Sequence, residues 1–354
     1  MTELGIPVFN TPGANANAVK ELILCGLLLG SRRVIDGINH MKSLGEKGLA
    51  KEKVEKDKAM FGGREIAGKT LAVIGLGHIG ASTARDAAAL GMIIKGYDPG
   101  LNVRSALKLP SEIKLVDSIA SAVANADYIS LNIPYVKGTG GTHGVCLEFR
   151  LLFLFRYFYI SLFFWTNFLR LMQLKIIGKD VISHFKTDAV LLNFARGELV
   201  DSNALKSFLD AGDGRYVTDF PDDVLWDHKN AIVIPHLGAS TEEAEDSAAS
   251  MAAETIYEYL EQGTIRNSVN FPDTALPNRP PTAIRITVVN RNKPGMLALI
   301  TEIFAKANLN IIQTINQSRG DIAVRVDRTL FYVSDAFMLS IQFLSCTISL
   351  LPLL

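Results

Sequence analysis

Short, mostly apolar runs alternate along this chain with longer stretches in which apolar residues recur every three or four positions. Leu71–Ile74, Ile93–Tyr97, Tyr128–Ile133, Val190–Phe194 and Ala231–Ile234 make up the first set. Runs of this length without polar alternation predict strands buried on both faces. Ile79–Leu90, Ser202–Ala211 and Thr241–Gln262 carry the helical period. Strands alternating with helices predict an α/β fold, a doubly wound parallel sheet with helices on both sides.

Three stretches break that rhythm. Asp273–Pro281 (DTALPNRPP) holds three prolines and reads as a linker, so a separate unit starts near Ala283. Val145–Gln173 is crowded with Phe, Leu and Tyr, yet its longest charge-free run, Tyr157–Leu169, has 13 residues. A helix spanning a bilayer needs about 20. The 19 residues 336–354 carry no charge and come close to that length, although Pro352 and several Ser and Thr weaken an anchor.

Composition narrows the function classes. Of 354 residues, 48% are hydrophobic and 20% charged, which excludes a disordered chain. Lys+Arg and Asp+Glu number 36 each, so no global charge favours nucleic acid or an anionic membrane. Cys25, Cys146 and Cys346 are too few and too scattered for a disulfide framework or a zinc site. No metal is expected. The opening MTELGIPVFNTPG has neither the basic nor the apolar region of a leader, and a cytoplasmic location is the expectation.

The chemistry starts at LAVIGLGHIG, where the strand ending at Ile74 runs into Gly75, Gly77 and Gly80 at the spacing G-x-G-x-x-G. The first glycine permits the tight turn, the second leaves room for a pyrophosphate, and the third lets the helix close on the strand. The helix start then offers free N–H groups to phosphate. Asp98 closes the next strand, 18 residues after Gly80, where an acid accepts from a ribose 2′-hydroxyl and repels a 2′-phosphate. This favours NAD over NADP. The alternative is a structural turn with no ligand.

Arg196 follows the run Val190–Phe194, and His236 follows Ala231–Ile234. Both therefore fall beyond the carboxyl ends of predicted strands, where open α/β sheets bind ligands. An Arg there clamps a carboxylate through two parallel hydrogen bonds. A His there suits proton transfer near neutral pH. A surface arginine in a turn and a structural histidine are the plain alternatives.

LAVIGLGHIG, YDP, LLNFARGELVD and IPHLGASTEEAEDSA, in this order, resemble the D-isomer-specific 2-hydroxyacid dehydrogenases, over residues 4–144 and 176–323. The resemblance implies a Rossmann-type NAD-binding domain beside a partial flavodoxin-like substrate lobe. It implies oxidation of 3-phospho-D-glycerate or another D-2-hydroxy acid, the alternative being an NAD-binding protein whose missing segments impair catalysis. Arg196 would hold the substrate carboxylate and His236 would be the general acid/base. Gly75, Gly77, His78, Ile79, Gly80, Asp98, Pro134, Phe194, Ala195, Arg196, Asp219, His236, Gly238 and Ala239 would line the cofactor. Asn15 would face substrate, or simply cap a helix. The family supports its His with a Glu, but YVTDFPDDVLWDH has none, leaving Asp222 or Asp223 as weak stand-ins.

IRITVVNRNKPGMLALITEIFAKANLNI resembles the start of an ACT regulatory domain, an α+β unit. Asn292 and Asn310 match its ligand-facing positions. Only about half of such a unit is present, which argues against feedback regulation by serine. The expected layout is a substrate-lobe remnant and linking helix at 1–50, the NAD-binding domain at 51–262, a return segment and linker at 263–281, a partial ACT-like unit at 282–326 and an apolar tail at 327–354. About half of the substrate lobe would lie outside this chain. Without 145–173 the text rejoins the family pattern, as expected of translated intron sequence. The expected partners are a small-molecule substrate and further copies of the chain.

Overall fold

The computed structural model describes residues 1–101, 106, 109–134, 175–276, 283–330 and 347–351. They fall into two compact units, one formed by Asn15–Ala244 and the other by Met1–Ala14 with Glu245–Leu354.

The first unit is built on seven strands: β1 (Thr70–Ile74), β2 (Ile93–Tyr97), β3 (Lys114–Leu115), β4 (Tyr128–Leu131), β5 (Val190–Asn193), β6 (Arg215–Thr218) and β7 (Ala231–Val233). Their spatial order is β3-β2-β1-β4-β5-β6-β7, with every pair parallel. The chain winds one way from β1 to β3 and the other way from β4 to β7. The direction reverses between β1 and β4, and the crevice above their carboxyl ends is where such sheets take ligands.

Burial explains why the strands read as apolar runs. Leu71 to Ile74, Tyr128 to Leu131 and Val190 to Asn193 are buried throughout. Alternate residues serve opposite faces. Ala72, Ile74, Ile129, Leu131 and Leu191 share one core with helices α5 (Ile119–Val123), α6 (Lys179–Ile182) and α7 (Ser202–Ala211). Leu71, Val73, Tyr128, Val190 and Leu192 share the other with α1 (Ala16–Ser31) and α4 (His78–Ala89). In α7, Leu205 and Leu209 bury one face, and the N-cap Asp201 accepts from the Asn203 and Ala204 N–H groups at 3.1 Å. The edge strand β3 is exposed.

Helix α1 belongs with this sheet. Val19, Ile23 and Leu27, at helical spacing, are buried against it, and Gly26 lies so near Phe194 that a Cβ there would sit 2.8 Å from the ring. Helices α2 (Val34–Glu46) and α3 (Ala50–Asp57) follow within the same unit. The compact units therefore divide at Asn15 and Glu245, inside the segments drawn from sequence as 1–50 and 51–262.

The second unit contains β8 (Ala283–Arg291), helix α9 (Met296–Lys306), β9 (Ile311–Arg319), β10 (Ile322–Leu330) and β11 (Thr347–Leu351), besides most of helix α8 (Glu242–Gln262). The antiparallel sheet runs β11-β8-β10-β9. Gly320, at φ +58°, turns β9 into β10 in the left-handed conformation that glycine adopts without cost. Ile286 and Val288 pack against Ile300 and Phe304 of α9, while Val289, Val324 and Val326 pack against Ile265, Phe271 and Leu276. Residues 327–330 and 347–351, expected to form a separate apolar tail, pair along both edges of β8 as strands. No helix among the described residues is long and apolar enough to cross a membrane. The block 145–173 lies outside the described residues.

Candidate cofactor and substrate site

The glycine turn caps β1 at the switch point. Gly75 has φ +95°, and a Cβ on it would lie 2.6 Å from the Asn132 carbonyl oxygen at the end of β4. A Cβ on Gly80 would lie 1.8 Å from the Gly75 carbonyl oxygen. Around Gly77 the space within 4 Å of such a Cβ is open. Two glycines thus allow the chain to fold on itself, and the third leaves a vacant approach to the start of α4. Gly77 and His78 are exposed there, with no side chain capping the helix, while Ile79 is half-buried. These features would suit a diphosphate.

Asp98 stands just beyond β2. One carboxylate oxygen accepts from the Leu76 N–H at 2.8 Å and the other from the Gly100 N–H at 2.8 Å. A carboxylate offers about four lone-pair positions, so acceptor capacity remains for a ribose hydroxyl. Asp98 also braces the turn itself, a role the spacing alone does not reveal. Pro134, past the end of β4, is exposed.

Beyond β5 the chain makes a turn locked by one buried side chain. Asn193 Oδ1 accepts from the N–H groups of Ala195 at 3.2 Å and Arg196 at 3.3 Å. Its Nδ2 donates to the Arg196 carbonyl at 2.9 Å and to the Tyr216 hydroxyl at 3.3 Å. Phe194 points into the core, Ala195 is half-buried, and Arg196 is exposed. Arg196 Nη1 donates to the Ala195 carbonyl at 2.7 Å, which leaves most of its five donors facing outward. Among the described residues no carboxylate pairs with it.

His236 lies three residues beyond β7, as Arg196 lies three beyond β5, with β6 between those strands. Neighbouring strands sit about 4.8 Å apart, so β5 and β7, from whose ends the two residues follow, run roughly 10 Å apart. The exposed His236 ring packs on Phe220 with centroids 4.6 Å apart and planes tilted by 47°. Asp219 is fully buried, and its Oδ2 accepts from the Gly238 N–H at 3.0 Å while Oδ1 has no partner. Burial pushes the Asp219 carboxyl up, against the opposing pull of that N–H and of His236. An orphaned buried acceptor beside the His loop fits the amide donor of a nicotinamide. Gly238 is buried and Ala239 exposed.

The acids offered as substitutes for the missing Glu are placed otherwise. Asp222 Oδ1 accepts from the Val224 and Leu225 N–H groups at 2.8 Å, and Oδ2 accepts from the Ser202 hydroxyl at 2.7 Å. Asp222 is a turn cap tied to α7 and makes no hydrogen bond to His236. Asp223 is exposed and has none either. Asn15 stands at the N-cap of α1, but its side chain does not cap the helix. Asn193, Thr218 and Phe220, which shape the site, were not picked out from sequence.

The model of one family, the D-isomer specific 2-hydroxyacid dehydrogenase NAD binding domain, matches residues 28–144 and 172–238. The match is interrupted within the aromatic block read from sequence as an insertion. Over 337 residues the chain is 30% identical to D-3-phosphoglycerate dehydrogenase of Dictyostelium discoideum, covering 91% of this chain and 70% of that protein. It is 31% identical over 319 residues to the enzyme of the same name from Haemophilus influenzae, covering 87% and 66%. The chain thus spans about two thirds of the length of these relatives. Among solved structures, apo D-mandelate dehydrogenase of Rhodotorula graminis superposes with a TM-score of 0.58 at 19% identity, over 77% of this chain and 70% of that one. That likeness concerns the fold.

Proposed function

Because the chain belongs to the D-isomer-specific 2-hydroxyacid dehydrogenases, we propose that it oxidises 3-phospho-D-glycerate to 3-phosphohydroxypyruvate with NAD. The observation that carries this reading is that Arg196 and His236 each follow by three residues the ends of β5 and β7, which are in register on either side of β6. Arg196 holds the substrate carboxylate with its outward donors. His236 takes the hydroxyl proton as the C2–H bond breaks. Bound NAD supplies the hydride acceptor. The glycine cradle and the start of α4 hold its diphosphate, Asp98 its adenosine ribose, and the free acceptor of Asp219 its carboxamide.

The choice of 3-phosphoglycerate among D-2-hydroxy acids rests on the names of the relatives. The test is NADH formation by the purified chain offered 3-phospho-D-glycerate, D-glycerate, D-lactate and their L-isomers. Turnover of 3-phospho-D-glycerate with the highest kcat/KM supports the reading. A better rate on an unphosphorylated D-acid would replace the substrate and keep the chemistry. His236→Ala is expected to lower turnover by about 10²–10⁴-fold, and Arg196→Lys to raise KM because Lys has no fork for a carboxylate. An ACT-like reading of the second unit, with its strand–helix–strand–strand order, belongs to the same proposal.

A further inference from the structure

Thr218 is fully buried at the end of β6, where a strand in a parallel sheet ordinarily carries an apolar residue. A buried hydroxyl costs free energy unless it is hydrogen-bonded. Here it is bonded twice. Thr218 Oγ1 donates to the Asn193 carbonyl at 2.8 Å and accepts from the Phe220 N–H at 3.0 Å. Asn193 is its register partner on β5 and is the residue whose side chain locks the Arg196 turn. Phe220 is the ring on which His236 packs. Between them, Asp219 holds the Gly238 N–H two residues beyond His236. The tripeptide Thr218–Asp219–Phe220 therefore touches the Arg turn on one side and the His loop on the other.

We propose that Thr218 is a positioning residue that sets the spacing between Arg196 and His236 through its two hydrogen bonds. This rests on the dehydrogenase reading above. A valine fills the same volume and suits a strand, so it removes the hydroxyl without leaving a cavity. It also leaves the Phe220 N–H and one lone pair of the Asn193 carbonyl without their partner. The Phe220 backbone is then free to shift, and with it the ring under His236. Misplacement of reacting groups by about 1 Å can cost as much as a hundredfold in rate.

The experiment compares Thr218→Val and Thr218→Ser in the full chain. The first readout is steady-state kinetics with NAD and a D-2-hydroxy acid. Thr218→Val is expected to lower kcat by about 10–100-fold, and Thr218→Ser to recover it to within about threefold. The second readout is the proton NMR signal of the His236 ring, which the Phe220 ring current displaces. It should move in Thr218→Val and return in Thr218→Ser, and it needs no turnover. A His236 signal that stays in place in Thr218→Val, or that Thr218→Ser fails to restore, overturns the proposal. If Thr218→Val does not fold, Thr218→Ala takes its place under the same criteria. An unmodified chain that turns over no D-2-hydroxy acid overturns the functional reading instead, and the NMR signal still decides on Thr218.

Discussion

A Cβ placed on Gly80 would sit 1.8 Å from the carbonyl oxygen of Gly75. The start of α4 therefore closes on the turn after β1 with no room for any side chain. Gly77 stands between them with nothing within 4 Å of the same test atom. The two glycines differ in what they do, and substitution separates them. Gly80→Ala should destabilise the unit by about 1–3 kcal/mol, the usual cost of overpacking a tight site. Gly77→Ala, at φ −69°, should leave the melting temperature close to that of the parent and weaken NADH binding, because its methyl enters the open cradle. Thermal unfolding beside NADH fluorescence titration checks both. Equal loss of stability in the two variants would contradict the assignment.

Asp98 joins cofactor choice to the shape of the turn. In the proposed cofactor pose its charge would oppose a 2′-phosphate, and its oxygens hold the Leu76 and Gly100 N–H groups. The chain should bind NADH more tightly than NADPH, and Asp98→Ser should narrow the gap. Some loss of stability, about 1 kcal/mol, should accompany the change because backbone donors lose their acceptor. Competitive titration with both reduced cofactors reads the preference. Indifference of the parent chain to the 2′-phosphate would remove Asp98 from the site.

How much of this was legible in sequence depends on how local each signal is. β2 and α7 occupy the residues their patterns predict, Ile93–Tyr97 and Ser202–Ala211. β1, β4, β5, β7 and α4 agree to within two residues, because each is a self-contained apolar run or period. β6 escaped. Arg215–Thr218 has only Tyr216 and Val217 as apolar residues, and its strand state comes from pairing with β5 and β7 on both sides. The glycine turn was legible because its spacing is its function. The Asn193–Thr218 contact was not, since it joins residues 25 apart that meet only when β5 and β6 align. Asp222 shows the converse: it falls in the segment before His236 where the resemblance places the family's acid, but its oxygens are taken by its own turn and by Ser202.

The largely buried Asp127, between α5 and β4, gives the first unit an acid-sensitive joint. Burial by itself would raise its carboxyl. Hydrogen bonds from Lys186 and from the Thr70 N–H outweigh that and hold it below the ordinary carboxylate range. The bond from Asp127 raises Lys186 in turn. A carboxyl lowered in the folded state stabilises above its unfolded value, about 3.9, and the contribution fades as pH falls through the folded value. A raised lysine stabilises below about 10.4, and its contribution fades as pH rises through the folded value. Lys186→Met should therefore cost about 1–3 kcal/mol at neutral pH, because Asp127 loses a partner while buried. The difference from the parent should begin to shrink below about pH 3.9, where the acid of the unfolded chain protonates, and be lost as pH falls through the lower folded value. Urea unfolding at a series of pH values checks this. A cost that stays constant down to pH 2 would mean that Lys186 acts by packing alone.

The block 145–173 supplies the last test. The family match stops at 144 and resumes at 172, almost the limits read from sequence. On either side the fold is in place. β4 ends at Leu131 against β1 and β5, and Ile177 bridges Val200 before α6 begins at Lys179. We expect the sheet to form whatever joins these ends, since the entropy of closing a loop changes by only about 0.6 kcal/mol for each doubling of its length. The block itself is dense in Phe, Leu and Tyr and poor in charge, the composition that promotes association between chains. Deleting it, so that Gly144 precedes Leu174, should raise the soluble yield and keep NADH affinity within about twofold, a change of roughly 0.4 kcal/mol. Light scattering and NADH titration on the two forms decide the matter. A deleted form that aggregates more, or that no longer binds NADH, would make the block an integral part of the protein and end the insertion reading.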